Sequence, residues 1–194
     1  GLDSAAGVVR YLEERGFGYD TLVAKVPIVP TAIIFDLSVG NSNVRPGIEE
    51  GYKACLAASD KKIAEGCVGA GTGATVGKAL GIERATKSGL GTASLQISGD
   101  IIVAALVVVN AVGDIVNPKT GEILAGPRSQ ENKGFLSTVE LLTGGTYSYR
   151  QNPLPSNTTL GVVATNASLT KEQVNKLAQM AQDGIARAIN PSHT

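Results

Sequence analysis

An abrupt change of hydrophobic pattern at Thr158 constrains the possible fold of this chain more than any other feature. Residues 128–157 show no regular hydrophobic period and contain a Gly-Gly pair and two prolines. The stretch TTLGVVAT at 158–165 follows directly, and its apolar and β-branched residues predict a strand. A patternless segment this long inside a compact domain is uncommon and is usually disordered or functional. We therefore predict a flexible loop over 128–157 that leads into a buried strand beginning with a hydroxyl residue.

Hydrophobic periodicity elsewhere predicts a mixture of helices and strands. The predicted helices lie at 4–15, 48–58 and 171–189, with a weak helical pattern at 135–142. The predicted strands lie at 32–37, 91–97, 101–110 and 158–165. The segment 98–100 is expected to turn the second of these strands into the third, and 111–116 to continue the same sheet.

Local signals also predict how single helices begin, end and pack. Asp3 or Ser4 can cap the first helix, and Gly16 can end it. Thr170 and Gln173 form a capping box at the start of the last helix. Its expected buried face consists of Val174, Leu177, Ala178, Ala181 and Ile185.

Composition places the chain among globular proteins, and its 194 residues suffice for a single domain with a sizeable core. Seventeen basic and 17 acidic residues cancel, so charge favours neither a nucleic-acid nor a membrane partner. The apolar run 101–109 is too short to cross a bilayer as a helix and predicts a strand buried on both faces. Cys55 and Cys67 lack metal-ligand spacing, so we expect both to be reduced and buried, which fits a cytoplasmic location.

The glycine-rich stretch 69–78 contains Gly77-Lys78 but does not match a phosphate-binding loop. Such a loop needs glycine where Thr72 stands and a hydroxyl residue where Ala79 stands. A dinucleotide-binding unit is equally unsupported, because no βαβ pattern surrounds these residues. The glycines more simply allow close backbone approach near a site or an interface. Lys78 is then either a solvated surface lysine or a cation of that site.

A histidine-based site finds little support, because the chain has one histidine, His193, without an evident partner. A Ser-His-Asp triad or a zinc site built on it is therefore not expected, and no cofactor or metal is implied. The glycosylation patterns at Asn157 and Asn166 are short and frequent by chance, so we give them no weight.

The junction Asn157-Thr158 suits a nucleophile that needs no histidine. The threonine hydroxyl could attack the preceding carbonyl to form an ester, which water would open. The new α-amine, with a reference pKa of about 8, could then serve as the base for the same hydroxyl. A loop that simply enters a strand at threonine is the structural alternative.

Six segments closely resemble the L-aminopeptidase/D-amino-acid esterase-amidase family, which includes β-aminopeptidases and nylon-oligomer endo-hydrolases. The junction segment is NTTLGVVATN at 157–166, followed by LTK at 169–171 and PSHT at 191–194. The others are GLDSAAGV at 1–8, VGAGTGATVGK at 68–78 and VVVNAVGD at 107–114. The resemblance spans the chain except for the predicted loop.

The resemblance implies an α+β fold, an αββα sandwich similar to N-terminal-nucleophile hydrolases but differently connected. It also implies one hydrolase domain over 1–194, cleaved into chains 1–157 and 158–194 that stay together. By position, Thr158 matches the nucleophile, Asn110 an oxyanion-binding asparagine and Lys78 a lysine near the nucleophile. A purely structural asparagine at the end of a strand is the alternative for Asn110. Family members begin earlier and continue past Thr194, so we expect this chain to be truncated at both ends: either it is excised from a longer protein, or it is an incomplete and inactive unit.

The expected activity is hydrolysis of small peptides, amino-acid amides or esters by N-terminal Thr158 in a homo-oligomer such as a tetramer. An endo-acting hydrolase of ω-amino-acid oligomers is the alternative within the family. A scaffold or assembly subunit of the same fold that no longer cleaves is the alternative from a different class.

Overall fold

The computed structural model describes residues 1–131, 133–145 and 157–193, which form two compact units. The first unit comprises Gly1–Ile33 and Asn41–Ile63, and the second comprises Ile34–Gly40 and Ala64–Thr194. Part of the predicted loop, residues 132 and 146–156, lies outside the described residues. The single domain cut into two chains therefore stays a prediction.

The first unit is a pair of helices with a small antiparallel ribbon. Helices α1 (Ser4–Glu13) and α2 (Ile48–Ala57) agree with the predicted positions. They pack where both carry glycine: a Cβ on Gly7 would lie 1.9 Å from the Ile48 carbonyl oxygen. The ribbon consists of β1 (Tyr19–Asp20) and β2 (Lys25–Val26). Asp3 makes no side-chain capping bond, whereas the Ser4 hydroxyl donates to the Gly1 carbonyl at 2.7 Å.

The second unit is organised around an antiparallel sheet of three strands. Its order is β5 (Leu90–Ser98), β6 (Ile101–Asn110) and β9 (Thr158–Thr165), with β6 in the centre. The predicted turn lies at Gly99, which has a φ of +53° that glycine adopts without a side-chain clash. The start of β9 at Thr158 confirms the change of pattern seen in the sequence.

A second sheet in this unit corrects the expectation that 111–116 continues the first. Strand β7 (Asp114–Val116) pairs with β8 (Ile123–Ala125) and with β10 (Ile189–Asn190). The chain leaves the first sheet after Asn110 because the carbonyls of Val112 and Gly113 accept bonds from the amides of Lys78 and Gly77. The glycine-rich stretch thus takes the place of a neighbouring strand.

The glycine-rich stretch contributes one 3₁₀ turn and a short strand. The turn is Gly69–Gly71, and β3 (Thr75–Val76) pairs with β4 (Thr86–Lys87). A Cβ on Gly77, whose φ is +67°, would lie 2.2 Å from the backbone of Gly126. The expectation that these glycines allow close backbone approach is therefore confirmed.

Two helices complete the second unit. Helix α3 (Thr138–Thr143) occupies part of the weakly predicted segment and is capped by Ser137. Helix α4 (Lys171–Ala188) begins at the predicted capping box of Thr170 and Gln173. Its buried face is narrower than expected: Leu177, Ala181 and Ile185 are half-buried, whereas Val174 and Ala178 are exposed.

The core of the second unit lies beside the second sheet. Val76, Ala111 and Ile189 are buried together, and Val109, Ile115, Ala125 and Ile185 pack on them. Strand β6 is half-buried along most of its length, so the expectation of burial on both faces is wrong. Cys55 and Cys67 are free thiols as predicted, but Cys55 is only half-buried and Cys67 is exposed, so the expectation that both are buried is wrong. None of the described helices is long and apolar enough to cross a membrane.

Candidate active site

Pairing of β6 with β9 places Asn110 directly opposite Thr158. Asn110 is the last residue of β6, and Thr158 is the first residue of β9. Side chains at directly opposed positions have Cβ atoms about 4.5–5.5 Å apart. Two of the predicted site residues, far apart in sequence, are therefore neighbours across the sheet.

The Asn110 side chain is buried, with 1% of its surface exposed. Its Oδ1 accepts hydrogen bonds from Lys78 Nζ at 2.6 Å and from the Thr75 amide at 3.1 Å. Its Nδ2 donates to the Phe35 carbonyl at 2.8 Å. These bonds orient the amide, because donors gather on its oxygen and an acceptor faces its nitrogen.

Lys78 is a buried cation of this site rather than a solvated surface lysine, with 4% of its surface exposed. Besides Asn110, its ammonium contacts Asn157 Oδ1 at 3.2 Å, on the residue just before Thr158. Burial lowers the pKa of Lys78 to about 8, and the nearby Asp36 carboxylate opposes that shift. Removal from water disfavours the charged form of an amine, which is the physical cause.

The backbone of Phe35 contacts both residues of the cross-strand pair. Its amide donates to Thr158 Oγ1 at 3.4 Å, and its carbonyl accepts from Asn110. The prediction of a strand at 32–37 is wrong. Phe35 bonds to side chains instead of to a neighbouring strand. Sequence analysis missed Phe35 and Asp36, since no motif or spacing links them to residue 158.

The Asp36 side chain reaches the site over a glycine. A Cβ on Gly73 would lie 2.1 Å from Asp36 Oδ2, so only glycine leaves room for the carboxylate there. This carboxylate is the negative charge that acts on Lys78. The segment 34–40 thus brings both a backbone donor and an acidic group to the site.

A cavity of about 190 Å³ opens beside Thr158. Apolar side chains form part of its wall, and polar groups from α4, the junction and the end of the chain form the rest. The lining residues are Ala111, Val112, Asn157, Thr158, Thr159, Gln182, Ile185, Ile189, Pro191, Ser192 and His193.

His193 lies on the same cavity as Thr158, although the sequence offered no partner for it. It makes no hydrogen bond to any residue that the structure describes, so no contact orients it towards Thr158. Among residues 1–131, 133–145 and 157–193, no three His, Cys, Asp or Glu side chains come together in a way that could hold a metal ion.

The structure therefore defines a mixed helix-and-sheet protein with a buried Lys-Asn pair beside a threonine that begins a strand. Comparison with known families identifies it further: the model of peptidase family S58 matches residues 1–194. The chain belongs to this family, which confirms the resemblance to the L-aminopeptidase/D-amino-acid esterase-amidase proteins. The α+β class is also confirmed, whereas the αββα sandwich remains an expectation.

Similar proteins fall into two groups by their descriptions. An uncharacterized aminopeptidase of Mycobacterium leprae is 43% identical over 202 residues, covering 100% of this chain and 53% of that protein. One of Mycobacterium tuberculosis (strain H37Rv) is 40% identical over 207 residues, covering 100% of this chain and 55% of that protein. A 6-aminohexanoate-oligomer endohydrolase of Paenarthrobacter ureafaciens is 29% identical over 205 residues, covering 100% and 54%. The chain spans about half the length of these relatives.

Proposed function

We propose that the full-length protein is a self-processing amidohydrolase that cuts the Asn157–Thr158 bond and then uses N-terminal Thr158 on small amide or ester substrates. The observation that carries this proposal is the pairing of Thr158 with buried Asn110 beside a cavity. A nucleophile, a neutral hydrogen-bond donor and space for a substrate then lie at one place. Membership of a peptidase family supports the same reaction class.

The self-cleavage step needs only groups at the junction and water. Thr158 Oγ attacks the carbonyl carbon of Asn157, the C–N bond breaks, and the hydroxyl proton ends on the released α-amine. The resulting ester is opened by water, which gives a carboxylate on Asn157 and restores the hydroxyl of Thr158. The new amine is then in position to take the hydroxyl proton in later turnovers.

Asn110 is the proposed donor to the oxyanion that forms in both reactions. Its amide is a neutral donor in a site from which water is largely excluded, where such a hydrogen bond is strong. Because its oxygen is held by Lys78 and Thr75, its nitrogen faces the opposite way. In this proposal the same nitrogen, which donates to the Phe35 carbonyl at 2.8 Å, also donates to the developing oxyanion.

Lys78 is proposed to keep the α-amine of Thr158 neutral. An ammonium close to a second amine disfavours a second positive charge and so lowers the pKa of that amine. The contact of Lys78 with Asn157 places its charge next to the junction. Since its own pKa is about 8, Lys78 is mostly charged at pH 7, where this effect is needed.

The Asp36 carboxylate favours a substrate with a free ammonium group, as in a peptide or an amino-acid amide. Its charge acts within the same site as Lys78 and Thr158. A cavity of about 190 Å³ with a partly apolar wall suits a small side chain of the substrate. Both observations support aminopeptidase-type activity.

Self-cleavage can be tested by intact-mass analysis of the purified full-length protein. Wild type should yield two chains divided at Asn157–Thr158, and Thr158→Ser should do the same because it keeps a hydroxyl. Thr158→Ala should remain a single chain. Thr159→Ala is the matched control and should still be cut, since Thr159 lies opposite Val109 rather than Asn110. If Thr158→Ala is cut at the same bond, an external protease is responsible and the proposal is wrong.

The same preparation separates the remaining alternatives. A 6-aminohexanoate oligomer cleaved faster than amino-acid amides would favour the endo-hydrolase reading, which the activity of the more distant relatives supports. A wild-type chain that stays intact and inactive would favour a scaffold of the same fold.

A homo-oligomer is part of the proposal as well. The resemblance implies it, and glycine-rich segments such as 66–81 permit close packing between backbones. Light scattering of the full-length protein should give a mass several times that of one protomer. A monomer across the working concentration range would overturn this part of the proposal.

A further inference from the structure

Lys87 makes two contacts with the glycine-rich stretch that the proposed mechanism does not use. Its position on β4 lies opposite Thr75 on β3. From there its ammonium donates to the Thr72 carbonyl at 2.9 Å and to the Ala74 carbonyl at 2.8 Å. Lys87 is exposed, but hydrogen bonds from a charged donor are stronger than neutral ones, so these contacts help to hold the loop backbone.

The Ala74 carbonyl belongs to the same peptide unit as the Thr75 amide. In a trans peptide the C=O and N–H groups point in opposite directions. The carbonyl end accepts from Lys87 and from the Ser88 amide at 3.0 Å. The N–H end donates to Asn110 Oδ1 at 3.1 Å. A single peptide group therefore connects the Lys87 ammonium to the Asn110 side chain.

Burial makes this connection effective. Ala74, Thr75 and Asn110 are all buried, so water does not screen the peptide dipole between them. A cation at the carbonyl end polarises the group and makes its N–H a stronger donor, as in other chains of hydrogen bonds.

The Thr75 amide has a role that Lys78 cannot fill alone. A backbone N–H can only donate, so the Thr75 amide permits just one orientation of the Asn110 amide, with the oxygen towards Thr75, and the Phe35 carbonyl on the nitrogen favours the same orientation. An uncharged lysine amine can also accept a hydrogen bond, so it would tolerate the reversed amide. Because the pKa of Lys78 is about 8, that uncharged form is populated at mildly alkaline pH.

We propose that Lys87 is a positioning residue that acts through the Ala74–Thr75 peptide to hold the Asn110 amide in the orientation in which its nitrogen would bind the oxyanion. This inference rests on the proposed function, in which Asn110 binds the oxyanion. Lys87 does not contact the substrate in this scheme. Its removal should slow the chemical step while leaving substrate binding almost unchanged.

The test uses the full-length protein and turnover of an aminoacyl p-nitroanilide. Lys87→Met keeps the aliphatic stem and removes the charge, and it should lower kcat by about tenfold with KM changed by less than about twofold. Lys87→Arg should restore most of the loss, and Lys87→Gln should lie between. Lys133→Met is the matched control: Lys133 is exposed and pairs only with Glu131 among the described residues, so its kcat should stay at the wild-type value.

A double-mutant cycle distinguishes positioning from general support of the fold. In an Asn110→Ala background, Lys87→Met should change kcat by less than about twofold, because the group through which it acts is gone. A full additional tenfold loss there, or wild-type kcat in the Lys87→Met single variant, would overturn the inference. If Lys87→Met does not fold, Lys87→Gln carries the same comparison.

The cycle also separates this inference from the proposed function. If Asn110→Ala is slow but neither Lys87 variant is, only the role of Lys87 is wrong. If Asn110→Ala itself keeps wild-type kcat, the oxyanion role fails first and the role of Lys87 fails with it.

Discussion

Two buried polar clusters are centred on Asn110 and Asp114, which lie four residues apart in sequence. The clusters differ in what they contact. The Asn110 cluster (Thr75, Lys78 and Asn110) contacts the junction through Lys78 and Asn157. In the Asp114 cluster (Asp114 and Thr138) the two residues bond to each other: the Asp114 carboxylate accepts hydrogen bonds from the Thr138 amide at 2.7 Å and from the Thr138 hydroxyl at 2.5 Å. It joins β7 to the start of α3.

Both clusters contain a titratable group whose pKa is shifted by burial. Burial lowers the pKa of Lys78 and raises that of Asp114, since each charged form loses hydration. The bonds from Thr138 favour the Asp114 carboxylate and reduce its shift. A buried group with an altered pKa is therefore not by itself a catalytic group. The contact with the side chain of Asn157, the residue before Thr158, is what distinguishes Lys78.

The largest expected effect concerns the Asn110 cluster. Asn110→Ala should lower turnover by about 10²–10³, the range for losing one oxyanion donor. Asn166→Ala is the matched control, because Asn166 also bonds to backbone, at Ile102 and Asp100, near the other end of the same sheet. That variant should retain turnover within about threefold. If both variants lose activity equally, Asn110 is a structural asparagine, and the Asn110 cluster does not differ in function from the Asp114 cluster.

The Asp114 cluster should instead determine stability. Asp114→Ala leaves the amide and hydroxyl of fully buried Thr138 without their acceptor, and each such group costs about 1–3 kcal/mol. We expect the free energy of unfolding, measured by urea denaturation, to fall by about 2–4 kcal/mol. Under native conditions the pH midpoint of activity should stay where it is in wild type. A shifted midpoint would assign Asp114 to the site.

The pH dependence of stability follows from the same group. Because the folded-state pKa of Asp114 is raised, the folded protein retains this proton to a higher pH than the unfolded chain does. Its contribution to stability therefore decreases as pH rises from the unfolded pKa of about 3.9 through the folded value. Asp114→Asn should remove that component, because an amide does not titrate.

The smallest expected effect is a shift of the pH–activity curve. Activity should rise with a midpoint of about 6–8 as the α-amine of Thr158 loses its proton. Lys78→Met should raise that midpoint by roughly one unit, because a neighbouring positive charge is gone. His193→Ala should leave it unchanged, although His193 lines the same cavity. If instead His193→Ala abolishes the pH dependence and Lys78→Met leaves the midpoint unchanged, the base is a histidine.

Local patterns were enough to predict those elements whose signals lie within a few residues. The capping box of Thr170 and Gln173 and the apolar and β-branched residues after Thr158 correctly predicted α4 and β9. Capping bonds join residues three positions apart, so the sequence contains both partners side by side. Family motifs then singled out Thr158, Asn110 and Lys78, whose catalytic roles remain predictions.

Tertiary structure decided the features that depend on contacts between distant segments. Nothing near Phe35 in the sequence indicates that its amide meets Thr158, or that Asp36 packs over Gly73 to act on Lys78. The burial of Lys78 has the same origin, since its partners Asn110 and Asn157 come from two other segments. Hydrophobic period and capping report only on neighbours along the chain. The environment of a side chain is set by whichever segments the fold brings around it, and that environment determines whether a lysine is a solvated surface charge or part of a site.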